Sequence, residues 1–477
     1  MKVRQLFCFV ILLALPARCV FAQPLEVLHC FQPYLGPDGV SPKAGLTQNG
    51  HILYGTTEFG GDGAGGSGTI FGMQTNGSGF VLLHKFGGPD GSRPISGLVW
   101  AGKMLYGTTS YGGANGYGTI FGLATNGTSF ATLHDFAGGS DGKYPSAGLV
   151  LSGQNLYGTT GFGGGSDNGT IFKITTDGSG YAVIYRFTPA HSNGNGSNTN
   201  ADGLYPRGDL VQAWGTLYGT AWGGGVGGGG TIFAVGTNGD AFTVLHSFMS
   251  FPDSDALPES GTVLSDGTLY GTTSIGGAHL GGTVFSIAQD GSQYQILHSF
   301  DRFHEGGHPS APVTFSDGRL FGTAYISGTN GSGMVYAIET NGSNFEVLQV
   351  FDNLAPSPAT NIDGGLPVAG LLIADGTAYG TTTTGGTESF GTLFALKLPV
   401  FAVKALPLTI DQDGTVTARF SGRATHAYIV QVSSNLSSVL GWTTVSTNIS
   451  DSEGFWSFTD TNAQMRHTLR FYRAAVP

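Results

Sequence analysis

The sequence predicts an all-β fold: a seven-bladed β-propeller closed by its N-terminal strand, followed by a small β-sandwich. Three observations carry this. Four short phrases rich in β-formers recur in fixed order, seven times, at a spacing of roughly fifty residues. Helical periodicity is absent throughout. One of the four phrases stands alone at the front of the array and is missing from its last copy.

Taken in chain order, the first 22 residues read as a signal peptide. Lys2 and Arg4 precede an apolar stretch from Leu6 to Ala17, and Val20-Phe21-Ala22 offers a cleavage site after Ala22. The stretch is too short for a comfortable membrane span, and no later segment is apolar enough for one. Residues 23–399 are the expected propeller and residues 400–477 the C-terminal module.

The repeated phrases are visible in the first copy. Val27-Leu28-His29-Cys30-Phe31 comes first, then Pro42-Lys43-Ala44-Gly45-Leu46, then Leu53-Tyr54-Gly55-Thr56-Thr57, then Gly68-Thr69-Ile70-Phe71. Each is bounded by glycine, asparagine or aspartate, which is strand grammar. The last copy ends at Gly391-Thr392-Leu393-Phe394, so the Val27 strand is expected to complete it and leave no open edge. If that strand is outermost, the proline-led strand is innermost, where its small residues suit seven strands crowding one axis. Asn49-Gly50, Asp266-Gly267 and Asn76-Gly77 mark tight hairpins on one short-looped face. The opposite face carries the blade connections and the glycine-rich loops, including the longest insertion, Pro189 to Leu204. Functional residues are expected there.

Composition fits this picture. Glycine supplies 82 of 477 residues, aromatic residues 12 % and charged residues only 11 %. That balance suits short strands and tight turns rather than disorder. Losing Lys2, Arg4 and Arg18 with the leader takes the formal charge from −11 to −14, which argues against nucleic acid or anionic lipid as partners. Cys8 and Cys19 leave with it, so Cys30 has no intrachain partner for a disulfide.

Leu-Tyr-Gly-Thr-Thr, a Gly-Gly, Gly-Thr-Ile-Phe, Thr-Asn-Gly and Leu-His-x-Phe, linked in this order, resemble the bacterial GloVer tandem repeat of the choice-of-anchor proteins. The resemblance covers about residues 24 to 399. It implies export and a propeller, and no established catalytic residues. Residues 400–477 lack a terminal apolar helix followed by a basic cluster, so no anchor of that type is expected. Their alternating segments, such as Thr415 to Phe420 and Tyr428 to Val432, resemble fibronectin-type-III-like modules of exported bacterial proteins.

Candidate site residues follow from the repeat. Phe59, Tyr111, Phe162 and Trp222 precede the Gly-Gly of the long-loop face and could stack on sugar rings or pack between blades. Asp38, Asp90, Asp141, Asp202 and Asp363 recur in Asp-Gly form before the inner strand. They could take calcium or close a local turn on their own backbone. His29, His84, His134, His246 and His298 recur in the outer strand, each on a different blade. They cannot converge on one ion, whose ligand bonds are about 2 Å. His304, Glu305 and His308 lie in a glycine-containing loop that opposes the helical zinc motif. No nucleophile elbow, phosphate loop or dinucleotide fingerprint is present.

The sequence therefore points to a secreted, periplasmic or surface-bound binding or scaffold protein. Its expected partner is a glycan or an extracellular protein, its expected state a monomer, with no metal and calcium as the one cofactor to test. A polysaccharide hydrolase or lyase is the alternative, with Asp202, Asp209 and Glu259 as the first acid and base candidates. A structural surface-layer role is the third reading.

Overall fold

The computed structural model describes residues 9–12 and 25–398, apart from 33–36, 62–65, 195–196, 251–254, 328–330 and 356–358. Beyond 398 it describes 404–405, 409–410, 415–421, 427–433, 443–449, 455–460 and 469–475. The cleavage site expected at Ala22 lies outside the described residues. Two compact units form: Pro24–Leu398, and Pro399–Pro477 together with Met1–Gln23.

The larger unit is a seven-bladed propeller of four-stranded antiparallel sheets. Blade one runs Thr47–Asn49, Ile52–Thr57, Thr69–Gln74 and Val81–Lys85 from axis to rim. Blade seven takes Leu372–Ala374, Thr377–Thr382 and Thr392–Lys397 from the chain's far end, and its outer strand, Glu26–Cys30, from the front. Glu26 pairs with Ala395 and Cys30 with Thr392, so the ring closes as the sequence predicts. Each outer strand carries a β-bulge: between Phe71–Leu82 and Ile70–His84 one residue, Leu83, is left over.

Seven apolar clusters fill the seven blade interfaces. Tyr54 and Ile70 of blade one meet Leu98, Leu105 and Phe121 of blade two, and Phe31 and Leu393 of blade seven meet Leu53 and Phe71 of blade one. The glycine of Tyr-Gly-Thr is needed because the aromatic ring of Gly-Thr-Ile-Phe lies over it. A Cβ on Gly55 would sit 2.5 Å from Phe71 Cζ, and the other six blades repeat the contact. In blade six the ring is Tyr336, fully buried, whose hydroxyl finds no hydrogen-bond partner.

The residue before each inner-strand proline is left-handed. Ser41, Arg93, Tyr144, Tyr205, Leu257, His308 and Leu366 all have φ between 56° and 60°. None is glycine, and a following proline further restricts the backbone, so each carries strain of about 1–2 kcal/mol. What holds them is a pair of backbone hydrogen bonds. Arg93 N–H donates to Ser67 O of the preceding blade at 2.7 Å, while Arg93 O accepts from Ser110 N of its own blade at 3.0 Å. All seven positions make the same two bonds. The proline beyond packs where a side chain would otherwise be: a Cβ on Gly68 would lie 2.5 Å from Pro94 Cδ, and one on Gly391 would lie 2.9 Å from Pro42 Cδ.

Nearer the rim, outer-strand histidines clamp the lead-in to the next blade. His29 meets Asp38 at 2.9 Å, His84 meets Asp90 at 2.9 Å and His134 meets Asp141 at 3.2 Å. His298 meets Glu305 at 3.0 Å, and Tyr185 takes the histidine's place by donating to Asp202 at 2.8 Å. Each histidine also stacks on an aromatic ring of the next blade, as His84 does on Phe130 at 3.8 Å. The seam between blades six and seven is different: Gln349 reaches Asp363 at 3.5 Å, and Leu25 packs there in place of a ring. Burial pushes the Asp141 carboxyl up, but the bonds to His134 and to Ala137 N–H together hold it below the usual carboxylate range.

In the smaller unit, Val416–Ser421 pairs with Phe455–Asp460, and Ala427–Ser433 pairs with Thr443–Ile449 and Leu469–Ala475. Phe420, Tyr428, Val430 and Trp456 form a core joining the two sheets, with Tyr428 and Trp456 stacked at 4.0 Å. Phe9–Leu12, inside the expected leader, pairs in parallel with Leu469–Tyr472. Among the described residues no helix is long and apolar enough to cross a membrane.

Two measurements test this architecture. Gly391→Ala meets Thr382 O as well as Pro42, so it should cost about 3 kcal/mol in chemical denaturation. Gly50→Ala, also at positive φ but in open space, should cost about 1 kcal/mol. Because the Asp141 pKa is depressed on folding, its stabilisation is present above the unfolded value, about 3.9, and is lost as pH falls through the folded value. Asp141→Asn should lower stability at neutral pH by about 1 kcal/mol and make the loss below about pH 4 shallower.

Candidate functional site

The inner strands of all seven blades line an axial cavity of about 330 Å³. Its upper ring, one residue past each proline, is Lys43, Ile95, Ser146, Arg207, Glu259, Ser310 and Val368. Two residues deeper, the ring is Gly45, Gly97, Gly148, Asp209, Gly261, Pro312 and Gly370. Glycine dominates because neighbouring backbones press together: a Cβ on Gly261 would lie 2.3 Å from Asp209 O.

Asp209 breaks this ring. Its carboxylate accepts from Gly148 N–H of the neighbouring blade and lines the cavity. Although exposed to the cavity, the carboxyl is hemmed in by surrounding protein, which pushes its pKa up, opposed only by that hydrogen bond. Glu259, on the next inner strand, accepts from Trp222 Nε1 at 3.3 Å. The Arg207 guanidinium lies over the Trp222 ring, 4.8 Å from its centroid.

From Trp222 a chain of rings runs along the loop-rich face as far as blade one. Trp222 meets Tyr205 at 6.3 Å, Tyr205 meets Phe162 at 4.8 Å, Phe162 meets Tyr144 at 6.0 Å and Tyr144 meets Tyr111 at 4.9 Å. Arg93 then sits between two rings, 5.1 Å from Tyr111 and 4.9 Å from Phe59. Tyr111 is 42 % exposed, and Phe59, Phe162 and Trp222 are half-buried. The arc thus unites the four aromatics singled out in the sequence. It adds Tyr144 and Tyr205, which the repeat concealed because they stand at the left-handed position before proline.

Trp222 is not the counterpart of the other three. Val40 bridges Phe59, Ser92 bridges Tyr111 and Lys143 bridges Phe162, whereas Leu204 bridges Gly223. Trp222 stands one place earlier, at the position of Glu58 and Ser110, with Gly223 at the place of Phe59, and there it reaches Glu259 at the cavity mouth. Phe59, Tyr111 and Phe162 are not among the residues that line the cavity.

The aspartates do not gather. Asp38, Asp90, Asp141 and Asp202 are held in the rim clamps described above, and Asp363 accepts from Asp352 N at 3.1 Å. His304 pairs with Asp301 at 2.8 Å while Glu305 pairs with His298, so His304, Glu305 and His308 form no shared site. Among the described residues no group of three or more His, Cys, Asp or Glu is arranged to hold a metal.

With this geometry in hand, the chain can be set beside known proteins. Among curated proteins none matches it in sequence. In structure it is similar to the extracellular domain of a hybrid two-component system from B. thetaiotaomicron, at 11 % identity and a TM-score of 0.50, covering 85 % of this chain. The chain spans 45 % of that domain's length. It is also similar to an oligogalacturonate lyase from Vibrio parahaemolyticus, at 8 % identity and a TM-score of 0.46, covering 79 % of this chain and 93 % of the lyase. A puromycin-hydrolyzing peptidase of Mycobacterium tuberculosis matches at 13 % identity and a TM-score of 0.44, covering 79 % of this chain and 57 % of the peptidase. Likeness at these identities concerns the fold. In sequence, the model of a family described as the Gloeobacter/Verrucomicrobia repeat matches residues 20–201 and again residues 195–394. Spanning the whole propeller, that match establishes that the chain belongs to the Gloeobacter/Verrucomicrobia repeat family.

Proposed function

We propose that this is an exported binding or scaffold protein whose loop-rich propeller face takes a glycan. The observation that carries the reading is the continuous arc from Phe59 to Trp222, with ring faces and guanidinium groups interleaved at the surface. Aromatic faces suit the apolar faces of sugar rings, and their rigidity keeps the entropy cost of binding low. Cleavage after Ala22 releases the protein from the inner membrane. The C-terminal unit, read as a fibronectin-type-III-like sandwich, spaces or attaches the propeller, and the protein works as a monomer. Calcium is not required by any residue in this reading.

A second reading is favoured by one observation. Asp209, the sole carboxylate of its ring, has a raised pKa and lines the cavity one inner strand away from Glu259. A carboxyl that holds its proton longer than usual, with a second carboxyl on the neighbouring strand, is an arrangement that suits general acid and base catalysis. In that case the bound glycan is cut by hydrolysis or elimination.

The full chain on a glycan array, with and without calcium, tests the first reading. Trp222→Ala and Tyr111→Ala should each weaken the captured glycan about tenfold, a loss of about 1.4 kcal/mol. Unchanged affinity in both would mean that the rings only pack the blades together. New reducing ends or unsaturated products, abolished by Asp209→Asn, would establish the second reading, and silence across a broad polysaccharide panel would remove it. Terminal sequencing of exported protein should begin at Gln23. A start at Met1 would instead fit the strand pairing of Phe9–Leu12.

A further inference from the structure

We propose that the glycan is anionic: its sugar rings stack along the arc and its acid groups pair with Arg93 and Arg207. This rests on the reading of the loop-rich face as a glycan-binding surface.

The first argument is where the cations are. The chain is acidic overall, with a formal charge of −11, yet each of the first four blades places a cation at the start of its inner strand. These are Lys43, Arg93, Lys143 and Arg207, on the same four blades that carry the arc. They stand one residue after the proline (Lys43, Arg207), one before it (Arg93) or two before it (Lys143), and in the remaining three blades these three positions hold Ala256, Leu257 and Glu259, Gly307, His308 and Ser310, and Gly365, Leu366 and Val368. Basic and aromatic character thus coincide on one side of the ring.

The second argument is which cations are free. Lys43 is neutralised by Glu58 at 2.6 Å and Lys143 by Asp167 at 3.0 Å. Arg93 and Arg207 are exposed and make no ion pair among the described residues. Their contacts are ring faces, at 4.9 Å and 5.1 Å for Arg93 and 4.8 Å for Arg207. A guanidinium stacked in this way is fixed in orientation while its edge N–H donors stay available. That planar fork matches a carboxylate with two parallel hydrogen bonds, and a rigid one loses less entropy in making them.

The third argument sets a boundary. Glu259 stands beside Arg207 in the upper ring and Asp209 lies two residues deeper, so an acid group meets the Arg207 guanidinium at the rim and repelling carboxylates towards the axis. A polyanion is therefore steered along the arc and kept out of the axis.

The test is binding by the full chain to alginate and polygalacturonate, to the same polymers after carboxyl reduction, and to a sulfated galactan. We expect capture of a polyuronate, at least tenfold weaker capture of its reduced form, and weakening by added salt. Arg93→Gln and Arg207→Gln, both at exposed positions, should each lose several-fold in affinity and flatten the salt dependence, with melting temperatures unchanged. Preference for the sulfated galactan would keep the anionic assignment and name sulfate as its source. Equal binding of native and reduced polymers overturns the anionic assignment and leaves glycan binding intact. Binding to none of the polymers, with the Arg variants and Trp222→Ala equally silent, overturns both.

Discussion

Each blade of this propeller makes room for the proline of the next. Gly68, Gly118, Gly169, Gly230, Gly282, Gly333 and Gly391 all have positive φ, and a Cβ on any of them would meet the following blade's proline within 2.9 Å. The contact explains two repeated phrases at once, since the Gly of Gly-Thr-Ile-Phe and the Pro of the inner strand are two halves of one joint. The left-handed residue before the proline depends on that joint too. Its strain is affordable because its N–H and C=O are tied to two different blades, so relaxing one turn would mean separating the blades. Gly391 against Pro42 is the same joint made between the chain's two ends, and a ring of identical joints has no natural first place to open.

Rim and axis add different things to this frame. The histidine–aspartate clamps bind each outer strand to the next lead-in, and threonines do the equivalent near the axis: Thr108 donates to Ala147 O at 3.2 Å, and Thr381 donates to Ala44 O across the closure at 3.4 Å. The seam between blades six and seven is the exception at the rim, with Gln349 and Leu25 replacing histidine and ring. That seam joins blade six to blade seven, the blade whose outer strand is supplied by the front of the chain.

Much of this was legible in the residues. The lone Val27 phrase and its absence after Phe394 dictated the closure, because a propeller with an unpaired edge would expose a row of backbone groups. The glycines of the inner strand announced a crowded axis. Other features were hidden for physical reasons. A left-handed residue before proline runs against backbone preference, so nothing in Arg93-Pro94 or Tyr144-Pro145 advertises it. The partners of Asp38 and Asp90 are histidines of a preceding blade, and their pairing emerges only once the bulge has turned the outer strand. Trp222 looked equivalent to Phe59 because both precede glycines; counted from the Tyr-Gly-Thr phrase it stands one residue earlier, and the bridge from Leu204 to Gly223 gives that difference its structural meaning. Asp209 was one of several suspects by position and became distinct only beside six neighbours without an acid group.

The left-handed position before proline has a consequence beyond stability. Its backbone is fixed by main-chain bonds and the glycine–proline joint, not by its own side chain, and nature has already placed serine, arginine, tyrosine, leucine and histidine there without altering the turn. Side-chain identity and scaffold integrity are decoupled at seven evenly spaced points around one face. The molecule is in that sense a radial display, whose chemistry can be rewritten one spoke at a time while the wheel stays the same.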